Sequence, residues 1–360
     1  MRHSARDGSG HQLRLDVGSV PVYLERVARQ LPFKASRLVS VRALTEFGNN
    51  NYLFCLTVGQ GPRAKRYFLK QAQRFNRRSV QQGKPIAVDP SRMEGEVRLL
   101  QYLQRLWGSG IVPEVYFYDA AAAVMLMSDV GRGGKLLALE FARGRVHPEV
   151  GPVLGRLLGK LHAATYHRPR PVGSNRVWQD KITKWLFGVH FAAGVNHFFP
   201  KRDVQQFYRS VARAPKATVW GDPVHRNIFV GPGRQLGLVD FDHTVRYDPM
   251  IDCGILLSHW VWMWVRAPGK HRQDSERALQ GFMCAYWAAW RSRLSAAERK
   301  AMERRLLRWI GLYLLSRTDG GSGSYFAKWP AWERRIRELG KELFAGTLSP
   351  QTERLLSLLS

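Results

Sequence analysis

Residues 218–240 read TVWGDPVHRNIFVGPGRQLGLVD. Two short apolar runs, Ile228-Phe229-Val230 and Leu236-Gly237-Leu238-Val239, are joined by Gly231-Pro232-Gly233-Arg234. That pattern predicts a β-hairpin whose strands end in polar residues, which places Asp222, Asn227 and Asp240 at strand ends and close together. A carboxylate, an amide five residues on and a second carboxylate thirteen beyond that form the set that phosphoryl transfer with magnesium requires. Asp222 would orient an attacking hydroxyl and accept its proton. The oxygens of Asn227 and Asp240 would hold Mg²⁺ against nucleotide phosphates.

Beyond the hairpin come Val239-Asp240-Phe241-Asp242 and then Asp248-Pro249, with Asp252 three residues further on. Together with Gly221-Asp222 and Asn227, these motifs resemble the aminoglycoside phosphotransferase family, which also includes choline, fructosamine and methylthioribose kinases. The resemblance implies a bilobal, protein-kinase-like α+β fold. It divides the chain into an N-terminal extension with a short helix (1–37), a small antiparallel-sheet N-lobe that binds nucleotide (38–130) and a larger helical C-lobe (131–360). It further implies ATP and Mg²⁺ as cofactors, a hydroxyl of a small molecule as acceptor, and an Asp252 that accepts hydrogen bonds from catalytic-loop amides. The chain departs from the family at Trp220, where a histidine usually braces the loop. An indole can only donate a hydrogen bond. That departure supports a second reading, an inactive nucleotide-binding pseudokinase scaffold.

Upstream, strands are expected at Leu38 to Leu44, Tyr52 to Val58 and Tyr67 to Gln71, a three-stranded meander. The loop from Glu46 to Asn51 holds Gly48 and several Asn, residues that tolerate tight turns and leave amides free to face phosphate. It resembles the family's Gly-x-x-Asn nucleotide loop, so Gly48 and Asn51 are candidate nucleotide contacts. Lys70 closes an apolar strand and could send its ammonium to the α- and β-phosphates if a carboxylate held it. Glu96 is the preferred holder, on an amphipathic helix with Leu99, Leu100 and Leu103. Glu94, on another face, is the rival. Arg74 to Pro90 reads as a basic surface loop. Strands at Val112 to Tyr118 and Ala122 to Met127 lead into Ser128-Asp129-Val130-Gly131, which resembles the hinge that grips adenine, and Ser128 is the candidate contact.

The N-terminal helix is expected from Pro21 to Leu31, capped by Ser19, with Val22, Val27 and Leu31 on its apolar side. Pro152 to Tyr166 carries leucines at helical spacing and ends in Leu161-His162, where the histidine reads as packed structure. The stretch from Trp178 to Phe207 is aromatic and basic, and the family resemblance makes it the acceptor pocket. Residues 251–265, IDCGILLSHWVWMWV, are too short for a bilayer span and read as a buried helix. Asp319 to Ser324 reads as a flexible loop.

At 360 residues and 45% hydrophobic, the chain can bury a sizeable core in about two domains. Cys55, Cys253 and Cys284 lack any paired spacing, which argues against disulfides or zinc and fits a reducing cytoplasm. The start has basic residues but no apolar run of a signal peptide. Lys and Arg number 56 against 28 Asp and Glu, a net charge of +28. Such a field attracts polyanions. No compact basic tail marks a specific nucleic-acid binder, so the charge is either a basic surface in general or a sign of an anionic acceptor. With the tryptophans, it suggests a third reading, a kinase acting on a sugar of an anionic surface glycolipid, peripheral at the membrane.

Overall fold

The structure is a computed structural model that describes residues 14–44, 51–81, 83–131, 133–168, 179–266, 269–290, 293–318, 330–347 and 349–359. These fall into two compact units, divided at residue 132. Gly48 and the rest of the loop before Asn51, and the Gly-Ser stretch 319–324, lie outside the described residues.

The first unit is built on one antiparallel sheet. Strands β1 (Leu38–Ala43), β2 (Asn51–Val58), β3 (Lys65–Ala72), β4 (Val115–Asp119) and β5 (Val124–Ser128) run in the order β1-β2-β3-β5-β4. β3 is therefore central, with Lys70 opposite Leu53 on one side and Met125 on the other. One face of the sheet is closed by α1 (Ser19–Arg26), since Leu15, Val20, Tyr23, Leu24 and Val27 share a buried cluster with Phe54, Leu56, Leu69 and Leu126. The expected cap of this helix is corrected: Asp16, not Ser19, plays it. Ser19 N donates to Asp16 Oδ1 (2.7 Å) while Asp16 N donates to Ser19 Oγ (2.8 Å), a reciprocal pair of the capping-box kind. The apolar face shifts with the register, and Val22 is 67% exposed.

The excursion after β3 holds more structure than a surface loop. It contains a short helix, α2 (Arg77–Gln81), and a bridge between Phe75 and Ala87. The helix α3 (Arg92–Trp107) then buries Met93, Glu96, Val97, Leu100, Leu103 and Trp107, the spacing of one helical face. Glu94 falls outside that face and pairs with Arg98 at the surface.

The second unit is mainly helical. It comprises α4 (Leu137–Ala142), α5 (Val150–Thr165), a π-helical stretch Lys181–His190 running into α6 (Phe191–Val195), and α7 (Lys201–Arg213). After the hairpin come α8 (Met250–Arg266), α9 (Lys270–Trp290), α10 (Ala296–Thr318), α11 (Pro330–Ala345) and α12 (Pro350–Leu359). Two small sheets carry the site: β7 (Ala217–Val219) pairs with β10 (Val245–Tyr247), and β6 (Lys135–Leu136) pairs with β8 (Ile228–Val230), which pairs with β9 (Leu236–Leu238). The helix α8 is buried at every position from Met250 to Val265, as a helix apolar all round must be. Trp260, Trp264, Trp290 and Trp309 are fully buried core residues, which removes them from any lipid boundary. Among the described residues, no helix is long and apolar enough to cross a membrane.

Close packing of α5 on α9 depends on a glycine stripe. A Cβ added at Gly151, Gly155 or Gly159 would lie 2.2, 2.1 or 2.7 Å from the carbonyl oxygens of Ala278, Phe282 and Tyr286. Any larger residue would force the helices apart. Their approach brings His162, on α5, to Asp252, which holds the loop after β7.

Candidate active site

In the second unit the loop Trp220-Gly221-Asp222 leaves β7 and is fixed by groups from α5, α8 and α9. Asp252, fully buried in the first turn of α8, accepts from Trp220 N (2.7 Å, Oδ2) and Gly221 N (2.8 Å, Oδ1). This is the contact expected of Asp252. Its Oδ2 also meets His162 Nε2 (3.1 Å), whose Nδ1 lies 3.0 Å from the Tyr286 hydroxyl. Burial pushes the Tyr286 phenol well up, so it keeps its proton. Thr218 N donates to Thr165 Oγ1 at 2.9 Å, tying β7 to α5. Gly221 has φ +88°, and a Cβ there would sit 2.3 Å from the His243 carbonyl oxygen. Only glycine fits this turn.

The doubt that Trp220 raised about bracing is resolved by its contacts. The indole Nε1 donates to the Asp240 carbonyl oxygen at 2.9 Å, and the ring stacks on Phe241 with centroids 4.7 Å apart and planes at 17°. Asp240 itself has φ +63°, a left-handed conformation that Asp tolerates better than most residues. The tryptophan thus braces the loop through its one donor.

The hairpin pairs Ile228 with Leu238 and Val230 with Leu236, and Val239 N donates to the Asn227 carbonyl oxygen at 3.0 Å. Asn227 and Asp240 therefore flank its open end. Asn227 Nδ2 donates to Asp222 O (2.9 Å) and Asp222 Oδ2 (3.2 Å), so Asp222 and Asn227 form one connected pair, while Asp240 follows Val239 at the other side of the hairpin's open end. Because the amide nitrogen is committed to Asp222, the amide oxygen is turned away from that carboxylate.

Some neighbours of Asp222 were not read from the sequence. Tyr313, on α10, is raised by burial and also by the charge of Asp222, against the lowering effect of Arg317. The His259 and His225 rings lie 4.1 Å apart, tilted at 41°; burial, with Arg226 and Arg317 adding to it, pushes His225 down to about 3. Both rings are neutral at physiological pH, since burial also holds His259 well below its ordinary value. Asp248, the other acid before α8, accepts from Arg305 Nε (2.9 Å) and Trp309 Nε1 (3.0 Å) and anchors α10.

In the first unit, Lys70 Nζ donates to both oxygens of Glu96, at 2.7 and 2.9 Å, with both side chains buried. Asn51 Oδ1 accepts from Arg92 Nη2 at 2.6 Å, a contact that nothing in the local sequence announces. Ser128 ends β5 and its hydroxyl accepts from Glu114 N at 2.9 Å.

The sequence profile of the phosphotransferase enzyme family (APH) matches residues 46–305, most of the chain and all of the residues just described except Trp309, Tyr313 and Arg317. The chain belongs to this family. The phosphotransferase is also similar to solved kinases. An ethanolamine kinase of Plasmodium vivax superposes with a TM-score of 0.52 at 11% identity, over 96% of this chain and 92% of that one. A choline kinase of Cryptosporidium parvum Iowa II gives 0.52 at 10% identity, over 94% and 99%. The amicoumacin kinase hAmiN, solved with AMP-PNP, Ca²⁺ and Ami, gives 0.54 at 14% identity, over 91% and 93%. At such identities the likeness speaks for the fold, and the phosphotransferase has the α+β, protein-kinase-like fold of these enzymes. A search of curated proteins gave no match.

Proposed function

We propose that this phosphotransferase moves the γ-phosphoryl group of ATP, with Mg²⁺, onto a hydroxyl of a small molecule. The observation that carries the reading is the connected group Asp222-Asn227, set at the mouth of the hairpin that ends in Asp240. Asn227 and Asp240 fit a hard cation: one offers an amide oxygen turned away from Asp222, the other a carboxylate on a main chain pinned by Trp220. Those two residues would hold the ion, which when bound neutralises charge on the phosphate oxygens.

Asp222 has the base's part. One of its oxygens is engaged by Asn227, which fixes the carboxylate plane and leaves the other to orient an acceptor hydroxyl and take its proton. Lys70 supplies a cation for the α- and β-phosphates, and Glu96 keeps its ammonium from swinging away. Gly48, Asn51 and Ser128 complete the nucleotide contacts in this reading. The acceptor class includes sugars, amino alcohols and aminoglycosides.

The test is a screen of such acceptors with the purified protein, ATP and Mg²⁺, read by ADP release and by the mass gain of one phosphoryl group. Acceptor-dependent product that vanishes in Asp222→Asn supports the proposal. Tight Mg·ATP binding with no product from any acceptor would favour the pseudokinase scaffold instead.

A further inference from the structure

Arg92 and Glu96 stand four residues apart at the start of α3, a spacing that puts both on one face of the helix, and both are buried there. Glu96 has its place in the reading above as the holder of Lys70, and Arg92 has none. We propose that Arg92 is a positioning residue for the nucleotide, fixing Asn51 from the first turn of α3 so that one helix sets both Asn51 and Lys70. The inference rests on the reading of those two residues as nucleotide contacts.

The guanidinium is held on two sides. Arg92 Nη1 donates to the Asp89 carbonyl oxygen (2.9 Å) in the turn that precedes α3. The Asp89 carboxylate stiffens that turn by accepting from Ser91 N (2.9 Å) and Ser91 Oγ (2.8 Å). Nη2 reaches across to Asn51 Oδ1 at 2.6 Å. A guanidinium is planar and carries its donors in a fixed fork, so anchoring one arm aims the other. Asn51 is the first residue of β2 and, in sequence, the last of the loop that begins at Glu46. It pairs with Ala72 on β3, two positions along from Lys70, whose ammonium meets Glu96 at 2.7 and 2.9 Å. One face of α3 therefore grips two neighbouring strands, β2 through Arg92 and β3 through Glu96.

Stability alone does not account for the arginine. Arg92 is 3% exposed and Asn51 5% exposed. Arginine is almost never buried so fully unless paired, and exchanging buried ionic groups for well-packed apolar ones is often neutral or stabilising. What an apolar residue could not supply at position 92 is a directed donor to Asn51.

The test is calorimetric titration of Mg·ATP into the full chain, with urea denaturation alongside. Arg92→Met keeps an unbranched stem and removes the fork. Its affinity for Mg·ATP should fall about tenfold, with that of Asn51→Ala falling at least as far. Because the two act through one contact, the double variant should bind no worse than Asn51→Ala, as a double-mutant cycle reads it. Arg98→Met, at an exposed position of the same helix, should match the parent. With an acceptor from the screen, Arg92→Met should raise the KM for ATP about tenfold while kcat at saturating ATP stays within about twofold. A purely structural role would lower the urea midpoint and leave the affinity of the folded protein alone. Parent-like affinity in Arg92→Met, or additive losses in the double variant, would overturn the proposal while leaving the proposed reaction standing. Parent-like affinity in both Asn51→Ala and Lys70→Ala would instead remove the nucleotide reading, and the proposal with it. Should Arg92→Met not fold, Arg92→Lys is the substitute: one ammonium cannot serve Asp89 and Asn51 as the fork does, so about a threefold loss is expected and parent-like binding counts against the proposal.

Discussion

Replacing Trp220 with phenylalanine would isolate one hydrogen bond at the centre of the proposed site. The aromatic stack on Phe241 survives the change, while the donor to the Asp240 carbonyl oxygen at 2.9 Å is lost. Removing one partner of a buried hydrogen bond costs about 1–3 kcal/mol. The bond also holds Asp240 at φ +63°, and a left-handed non-glycine residue persists only while its surroundings impose it. If the whole loss reached the metal site, nucleotide affinity would fall about 5-fold to 150-fold, with the lower end expected because Phe241 and the hairpin still restrain the chain. Calorimetric titration of ATP in Mg²⁺ and in EDTA reads the effect, and urea denaturation reads stability separately. The loss should appear in Mg²⁺ and be small in EDTA. Trp220→His, which restores a ring donor, should recover most of the affinity. Equal losses with and without Mg²⁺, or a Trp220→His variant no better than Trp220→Phe, would refute the assignment of Trp220 as the brace of Asp240.

Three further outcomes are expected. Asp222→Asn keeps an oxygen for the Asn227 amide, so Mg·ATP binding should persist while turnover drops about 10²–10⁴-fold, measured on whichever acceptor the screen identifies. Asp240→Ala should weaken ATP binding far more in Mg²⁺ than in EDTA by calorimetry, since the side chain is assigned to the ion. Two glycine-to-alanine changes should differ in sign in chemical denaturation: Gly155→Ala loses about 2 kcal/mol because its Cβ would lie 2.1 Å from the Phe282 oxygen, whereas Gly95, with nothing within 4 Å, should gain about 0.5–1 kcal/mol from helix propensity.

What the sequence disclosed was what neighbouring residues encode. Two short apolar runs and a Gly-Pro-Gly turn placed Asn227 and Asp240 at the end of a hairpin, and the pairing of Ile228 with Leu238 follows that pattern. Glu96 was separable from Glu94 because a helical face has a fixed spacing, and burial of Met93, Glu96, Leu100 and Leu103 obeys it. The cap of α1 was misjudged for a local reason: Asp16 and Ser19 are both good cap formers, and only the backbone geometry assigns their roles. The glycines at 151, 155 and 159 stood in plain view at four-residue spacing. Their meaning depended on α9, more than a hundred residues downstream, so no local pattern could supply it.

The same distinction explains why Trp220 was read as a weakness. Its side chain offers one donor, and whether that suffices depends on which acceptor the fold presents to it. The fold presents the Asp240 carbonyl, turned toward the ring by a left-handed residue twenty positions away. The rest of the loop is held by groups indifferent to the residue at 220: Asp252 takes the main-chain amides of Trp220 and Gly221, and Thr165 takes that of Thr218. Any side chain that can reach the Asp240 carbonyl with an N–H would complete the same anchorage. Its departure from the family's histidine therefore bears on how firmly Asp240 is held rather than on whether Asp222 and Asn227 are paired.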